Sequence, residues 1–82
     1  MDRSEVESRV KKVIARVLKL PEDGIASDAN FIFDLGADSM QSLLLVAGFE
    51  EEFEIEMPED QALAVQTVSG AVEFITGIIQ KR

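Results

Sequence analysis

The heptapeptide DLGADSM (residues 34–40) marks the point where a polar segment gives way to an apolar run. Asp38 is a favoured residue just before a helix. Gln41, three positions later, completes a reciprocal cap in which each side chain bonds the backbone of the other residue. The pattern predicts a helix from Ser39 to about Phe53. The Ser39 hydroxyl then lies in the first turn, where backbone N–H groups are unpaired.

Apolar residues at spacings of three and four predict the other helices. The first covers residues 4–18, with Ser4 and Glu7 as a capping box, a short one covers residues 59–64, and Thr67 caps the last. The predicted buried residues are Val6, Val10, Val13, Ile14, Val17 and Leu18 in the first helix, Leu43, Val46, Ala47, Phe49 and Phe53 in the second, and Val68, Ala71, Val72, Ile75, Ile78 and Ile79 in the last. Leu44 lies outside the predicted stripe of the second helix.

Residues 21–38 form a long loop between the first and second helices. Its apolar residues predict that it is pinned across the end of a bundle; they are Ile25, Phe31, Phe33 and Leu35. No alternating strand pattern occurs. The sequence therefore predicts an all-α fold and a single domain over residues 1–82, in which three longer helices and one short helix form a small bundle.

The charge distribution favours some partners and excludes others. The chain of 82 residues has a net charge of −8, and between Leu20 and Gln80 it carries thirteen acids and no base. Such a surface repels nucleic acids and anionic lipids and attracts basic protein surfaces. Solubility alone is the simpler explanation of the acidity. With no membrane-spanning run and no signal-peptide pattern, we expect a cytoplasmic monomer that does not insert into membranes.

Ser39 lacks the neighbours of a catalytic serine. The chain has no histidine to deprotonate it, no cysteine and no G-x-S-x-G elbow, which argues against an esterase. A phosphate esterified to this hydroxyl would lie beside the positive end of a helix. The position therefore favours a serine that another protein modifies.

Residues 34–40 resemble the phosphopantetheine attachment motif of acyl carrier proteins, D-x-G-x-D-S-L. The resemblance continues through EEEF (50–53), IEMP (55–58) and TV (67–68), and covers nearly the whole chain. It implies that a phosphopantetheinyl transferase attaches 4'-phosphopantetheine to Ser39, and that the thiol of this arm carries acyl groups as thioesters.

The resemblance also implies that the chain is not an enzyme and has no catalytic residues or resident metal. It delivers cargo to ketosynthases, acyltransferases or other acyl-processing enzymes of fatty acid, specialised lipid or polyketide biosynthesis. Asp38 matches the family aspartate that is often placed near the transferase metal during loading. Gly36 matches the glycine that lets the loop turn before the cap.

Three positions depart from the usual pattern of fatty acid carriers. Met40 replaces leucine, Gln41 stands where aspartate is common, and Leu44 stands where a glutamate usually meets basic residues of partner enzymes. These changes favour a specialised carrier, with Met40, Gln41 and Leu44 as partner contacts. Packing of Leu44 against the long loop is an equally open interpretation. Glu50, Glu51 and Glu56 are further candidate partner contacts, although a solvated helix face explains most such acids.

Other functions share some of these features. A peptidyl or aminoacyl carrier differs in cargo, but such carriers are often less acidic and commonly have histidine before the serine. A helical interaction module without an arm is a further alternative. Asp28, Asn30 and Asp34 suggest a calcium loop, but the spacing lacks the glycine and terminal glutamate of such a loop, so it predicts weak divalent binding at most.

Overall fold

The computed structural model describes residues 2–81, apart from the side chain of Leu63. Its elements are α1 (Arg3–Leu18), a single 3-10 turn (Glu22–Gly24), α2 (Ser39–Phe53), α3 (Glu59–Ala64) and α4 (Val68–Gln80). The described residues contain no strand, only an isolated bridge between Asn30 and Thr67. The predicted all-α fold of three longer helices and one short helix is confirmed.

The N-terminus of α1 differs from the prediction. The cap is Asp2, whose Oδ1 accepts from the Glu5 backbone N–H at 2.8 Å. The predicted Ser4–Glu7 capping box is wrong because Ser4 already lies inside the helix. Aspartate caps as well as serine does, and starting at Arg3 places Glu5 in the first turn, where the helix dipole favours an acid.

Helices α1 and α4 bury the faces that their spacing predicted. The buried residues are Val6, Val10, Val13 and Ile14 on α1, and Val68, Ala71, Val72 and Ile75 on α4. Residues nearer the C-termini of both helices are only partly buried; they are Val17, Leu18, Ile78 and Ile79. Since α1 packs against both α2 and α4, it forms the centre of the bundle.

Helix α2 buries a different face from the predicted one. Its buried residues are Leu45, Gly48, Phe49 and Phe53. Of the predicted stripe, Phe49 and Phe53 are buried, whereas Leu43 is 46% exposed, Val46 is partly buried and Ala47 is exposed. Because residues 43–49 are all apolar, their pattern does not choose between two faces. Gly48 determines which face packs against α1, because a Cβ at this position would lie 2.8 Å from Cγ1 of Val13.

The long loop is pinned to the bundle, as predicted. Its buried side chains are Ile25, Ala29, Phe31 and Ala37. Three backbone hydrogen bonds tie it to the start of α4; they join Phe31 N to Gln66 O at 2.9 Å, Val68 N to Ala29 O at 3.0 Å and Ser69 N to Ser27 O at 2.8 Å. Phe33 was expected to help hold the loop, but its side chain is 87% exposed and does not pack in the core.

Across residues 2–81, every helix is too short or too polar to cross a lipid bilayer.

Candidate functional site

Asp38 fixes the start of α2. Its Oδ1 accepts from the Gln41 backbone N–H at 2.8 Å, and Gln41 Oε1 accepts from the Asp38 backbone N–H at 3.2 Å. The predicted reciprocal cap is confirmed. The Ser42 hydroxyl donates to the Asp38 carbonyl at 3.0 Å. Ser39 therefore starts from a turn whose backbone is held by three short-range hydrogen bonds.

The loop before this turn is folded around Asn30. Its Oδ1 accepts from the backbone N–H groups of Ile32 at 2.9 Å and Phe33 at 3.0 Å. Its own backbone N–H donates to Asp34 Oδ2 at 2.7 Å. The side chains of Asn30 and Asp34 therefore hold the backbone of the loop. Among residues 2–81, no group of three or more His, Cys, Asp or Glu side chains is placed to hold a metal.

Gly36 provides the reversal between this loop and the cap. Its φ is +75°, in the left-handed region that costs other residues about 1 kcal/mol or more. Nothing lies within 4 Å of a Cβ built at this position, so the backbone angle and not lack of space calls for glycine. Gly36 N donates to Ile32 O at 3.2 Å, and Ala37 N donates to Phe31 O at 2.8 Å. The chain therefore reaches Asp38 on a defined path.

The Ser39 hydroxyl is accessible. The residue is exposed, and within the described part of the chain no other group hydrogen-bonds to its side chain. A cavity of about 430 Å³ opens beside it, between α2, the long loop and the α3 region. Its walls are mainly apolar and include Phe31, Leu45, Val46 and Phe49. An attached group could therefore project into solvent or lie against an apolar cavity.

Five exposed apolar side chains lie in the loop before Ser39 and near the start of α2, and we call them the apolar rim: Ile32, Phe33, Met40, Leu43 and Leu44. Met40, Leu43 and Leu44 are neighbours on α2 at spacings of three and four. Leu43 also lines the cavity together with Ile32 and Phe33, so the cavity adjoins rim residues of both the loop and α2. Leu44 is 52% exposed, so the rest of the chain covers about half of its surface.

Sequence reasoning missed three members of the rim as site residues. Ile32 was not singled out, and Leu43 and Phe33 were expected to be buried. No pattern in the sequence distinguishes them, since the nearby Ala37 and Leu45 are equally apolar and are buried. Apolar character alone pointed to the core.

Five acids lie at the C-terminal end of α2 and in the residues just after it. We call Glu50, Glu51, Glu52, Glu54 and Glu56 the acidic flank. Glu51 and Glu56 are exposed, as a partner contact requires. Glu50 is partly buried, and its Oε2 accepts from the Met57 backbone N–H at 3.0 Å, while Glu52 lies 3.6 Å from Arg9 of α1. The flank therefore combines exposed acids with acids that hold the fold together.

The residues around Ser39 fit a covalently attached phosphodiester. The hydroxyl is accessible, it lies at the electropositive start of a helix, and the nearest wall is apolar. Independently, a family model for the phosphopantetheine attachment site matches residues 8–75. The match includes all of α2 and α3 and most of α1 and α4.

Proposed function

Because this chain belongs to the phosphopantetheine-binding carrier family, whose members hold a covalent 4'-phosphopantetheine arm, we propose that it carries acyl groups on an arm attached to Ser39. The observation that carries the assignment to Ser39 is its accessible hydroxyl at the start of α2, beside an apolar cavity. When bound, the arm supplies a terminal thiol for thioester formation, which the side chains of a chain without cysteine cannot supply. The chain itself catalyses no step.

The residues before Ser39 keep this hydroxyl in place. Gly36 turns the loop, and Asp38 anchors the first turn through Oδ1. Oδ2 of Asp38 makes no hydrogen bond to another described residue, so it is available to the metal ion that a transferase uses during loading. The unpaired N–H groups of the first turn favour the negative charge that loading adds.

Acyl cargo is favoured over peptidyl or aminoacyl cargo. The cavity beside Ser39 offers an apolar chain a place out of water, which a polar amino acid would not gain from. The absence of histidine before the serine points the same way. The intact mass of the protein isolated from its source, with any cargo still attached, distinguishes these cargoes.

We propose that the partners are a phosphopantetheinyl transferase and acyl-processing enzymes such as ketosynthases and acyltransferases. They would meet the protein at Ser39 and its neighbours Met40, Gln41 and Leu44, with Glu50, Glu51 and Glu56 adding negative charge. The missing acids at positions 41 and 44 favour a specialised lipid or polyketide pathway over general fatty acid synthesis. A cytoplasmic monomer fits the acidic composition.

Loading in vitro tests the assignment of Ser39. We expect coenzyme A, magnesium and a broad-specificity phosphopantetheinyl transferase to add the mass of one arm to the wild type and none to Ser39→Ala. Ser42→Ala is the matched control, because it removes the neighbouring hydroxyl of the same helix and should still be loaded. Circular dichroism should show both variants folded, since alanine suits a helix and Asp38 retains its cap. Loading of Ser39→Ala would assign the arm to another residue.

A further inference from the structure

We propose that the exposed face of α1 binds an acidic helical segment of a partner protein, through a row of three basic side chains. They lie at spacings of four and three residues on one side of the helix, and we call them the basic stripe: Lys12, Arg16 and Lys19. All three are exposed. At 1.5 Å per residue, the stripe is about 10 Å long. The inference does not depend on the arm at Ser39, and its partner differs in charge from the basic enzymes proposed above.

The sequence concentrates positive charge in this one helix. Residues 1–19 carry six bases and three acids, whereas residues 20–80 carry thirteen acids and no base. From residue 8 to residue 21 there are five bases and no acid. An acidic surface is therefore attracted to this part of the protein and repelled by the rest of it.

Ion pairs distinguish the stripe from the other bases of α1. Those three bases each pair with an acid of the same chain: Arg3 with Glu73 at 3.4 Å, Arg9 with Glu5 and Glu52 at 3.6 Å, and Lys11 with Glu7 at 3.3 Å. Within residues 2–81, by contrast, no side chain of the basic stripe forms an ion pair or a hydrogen bond. The charge of the stripe is thus left for a group outside the protein.

The neighbouring helix explains why the stripe is unpaired. Helix α2 runs beside α1, and Glu52 near its C-terminus contacts Arg9. Further along, Nη2 of Arg16 lies 3.8 Å from the position that a Cβ at Gly48 would occupy. Residues 39–49 of α2 contain no ionisable side chain. Arg16 therefore lies beside an uncharged part of α2, and the acids that could have paired with the stripe begin only at Glu50.

Stabilisation of the helix end accounts for only part of the stripe. Basic side chains in the last turn of a helix interact favourably with its dipole, which applies to Arg16 and Lys19. Lys12 lies six residues before Leu18, beyond the range of this effect. Lys19 has a φ of 58°, in the left-handed region where glycine is more stable. A lysine at this cap therefore supplies charge where the backbone alone favours glycine.

The occupant that fits the stripe is a protein helix with acids at a matching spacing. Glutamates at positions i, i+4 and i+7 of such a helix lie on one face and can meet the three bases in turn. Nucleic acids and anionic membranes carry negative charge over a much wider area, so they would also meet the thirteen acids of residues 20–80. A protein segment can confine its acids to the stripe.

Titration with a synthetic acidic peptide tests the inference. The probe is a helical peptide of alanine and glutamine that carries glutamates at positions i, i+4 and i+7. The comparison peptide carries the same glutamates at i, i+2 and i+5, where they point in different directions. At low salt, heteronuclear NMR of the protein without an arm should show tighter binding of the first peptide, with amide shifts in residues 8–21. Binding should weaken as salt rises.

Variants of the stripe measure what each base contributes. Arg16→Gln should weaken binding about threefold, and its combination with Lys12→Gln and Lys19→Gly about tenfold, the scale of exposed ion pairs. Lys11→Gln is the matched control: it removes one charge from the same helix, at a base already paired with Glu7, and should leave the affinity unchanged. Lys19→Gly should also raise the thermal midpoint, because glycine suits the left-handed cap.

Several results would overturn the stripe as a binding site. They are absence of binding at low salt, equal affinity for the two peptides, amide shifts outside residues 8–21, and equal weakening by Lys11→Gln and Arg16→Gln. A triple variant that binds as the wild type does but melts at a lower temperature would reduce the stripe to stabilising the end of α1.

Other occupants give different results. A single-stranded oligonucleotide and vesicles containing phosphatidylglycerol should not bind at the same salt; binding of either that the triple variant abolishes would assign the stripe to nucleic acid or to a membrane. Sedimentation velocity should show a monomer, and a dimer that Arg16→Gln dissociates would make a second copy the occupant. Each of these outcomes contradicts the inference. Because the protein without an arm is used, none of them depends on whether Ser39 can be loaded.

Discussion

The two ends of α2 differ in what their side chains contact. At the N-terminal end, Met40 and Leu44 present apolar surface to solvent, and the hydrogen bonds are local ones within the cap. At the C-terminal end, Gly48 lies against Val13, and Glu52 lies beside Arg9 of α1. One end of the helix is thus left available, while the other is tied to the bundle. Substitutions at the first end should alter recognition, and those at the second should alter stability.

The largest effect on stability is expected at Glu50. Glu50→Ala removes the carboxylate that accepts from Met57 N–H and leaves a donor of a buried residue unpaired. Losing such a charge-assisted bond should lower the free energy of unfolding by about 1.5 kcal/mol. Urea denaturation measures it.

Glu51→Ala is the matched control, because Glu51 is the exposed neighbour on the same helix and should change stability by less than about 0.5 kcal/mol. Glu50→Gln keeps an acceptor and should recover part of the loss. Equal losses for Glu50→Ala and Glu51→Ala would erase the distinction between the anchored and exposed acids of the flank.

Gly48→Ala should destabilise the same end by about 1 kcal/mol. Alanine gains about 1 kcal/mol of helix propensity, but its Cβ would overlap the stiff side chain of Val13, and overpacking costs about 1–3 kcal/mol. Gly77→Ala is the control: Gly77 is also helical, nothing lies within 4 Å of a Cβ there, and the change should stabilise the protein. Thermal denaturation compares them, and a stabilised Gly48→Ala would show that α1 and α2 approach less closely than described.

At the N-terminal end, charge should change recognition without changing stability. If the pathway is specialised, the loaded protein should be a poor substrate for a ketosynthase of general fatty acid synthesis. Gln41→Asp combined with Leu44→Glu should improve that reaction several-fold at low salt, since each exposed contact with a basic enzyme is worth about 0.2–1 kcal/mol. The gain should shrink as salt rises.

The thermal midpoint of that double variant should stay close to wild type. Leu44 is half exposed, and an aspartate at position 41, in the first turn, gains from the helix dipole what it loses with the Gln41–Asp38 hydrogen bond. A large drop would mean that the N-terminal end also supports the core. Efficient use of the unmodified sequence by the ketosynthase would contradict the specialised pathway.

The smallest effect on stability is expected for an exposed hydrogen bond far from α2, between Ser27 and Glu7. The Ser27 hydroxyl donates to Glu7 at 3.1 Å and, with Lys11 at 3.3 Å, lowers the pKa of the Glu7 carboxyl. A lowered carboxyl pKa stabilises the folded state at neutral pH, and the contribution is lost as pH falls through the lowered pKa. Ser27→Ala should therefore cost under about 0.5 kcal/mol at pH 7, given the exposure of the pair.

The loss of unfolding free energy caused by Ser27→Ala should become smaller as the pH falls below the ordinary pKa of glutamate. In a Glu7→Gln background the same substitution should cost an amount that does not vary with pH. Urea denaturation across this pH range measures both. A pH-independent effect in the wild-type background would mean that the hydroxyl acts without the Glu7 charge.

The sequence predicted elements better than it predicted faces. The start of α2 followed from Asp38 and Gln41, since a capping box is a local pattern. The buried face of α2 could not be predicted, because an unbroken apolar run is equally apolar on both faces of the helix. Gly48 determines the buried face through its contact with Val13, a residue of another helix. The Glu50–Met57 hydrogen bond also depends on how the chain folds after α2, so the sequence pattern did not predict it. Exposure of Phe33 depends on how the loop folds around Asn30, which composition does not encode.

The backbone hydrogen bonds between the long loop and the start of α4 link the site to the order in which the chain is made. The Ala29 carbonyl accepts from Val68 N, and Phe31 N donates to Gln66 O; a ribosome adds both of these partners much later. Until then the segment before Ser39 lacks these bonds and the bridge between Asn30 and Thr67. The serine is thus presented in its final setting only after the C-terminal helix has started to form. A reaction at Ser39 that requires this setting would therefore proceed only on chains that have been made at least as far as the start of α4.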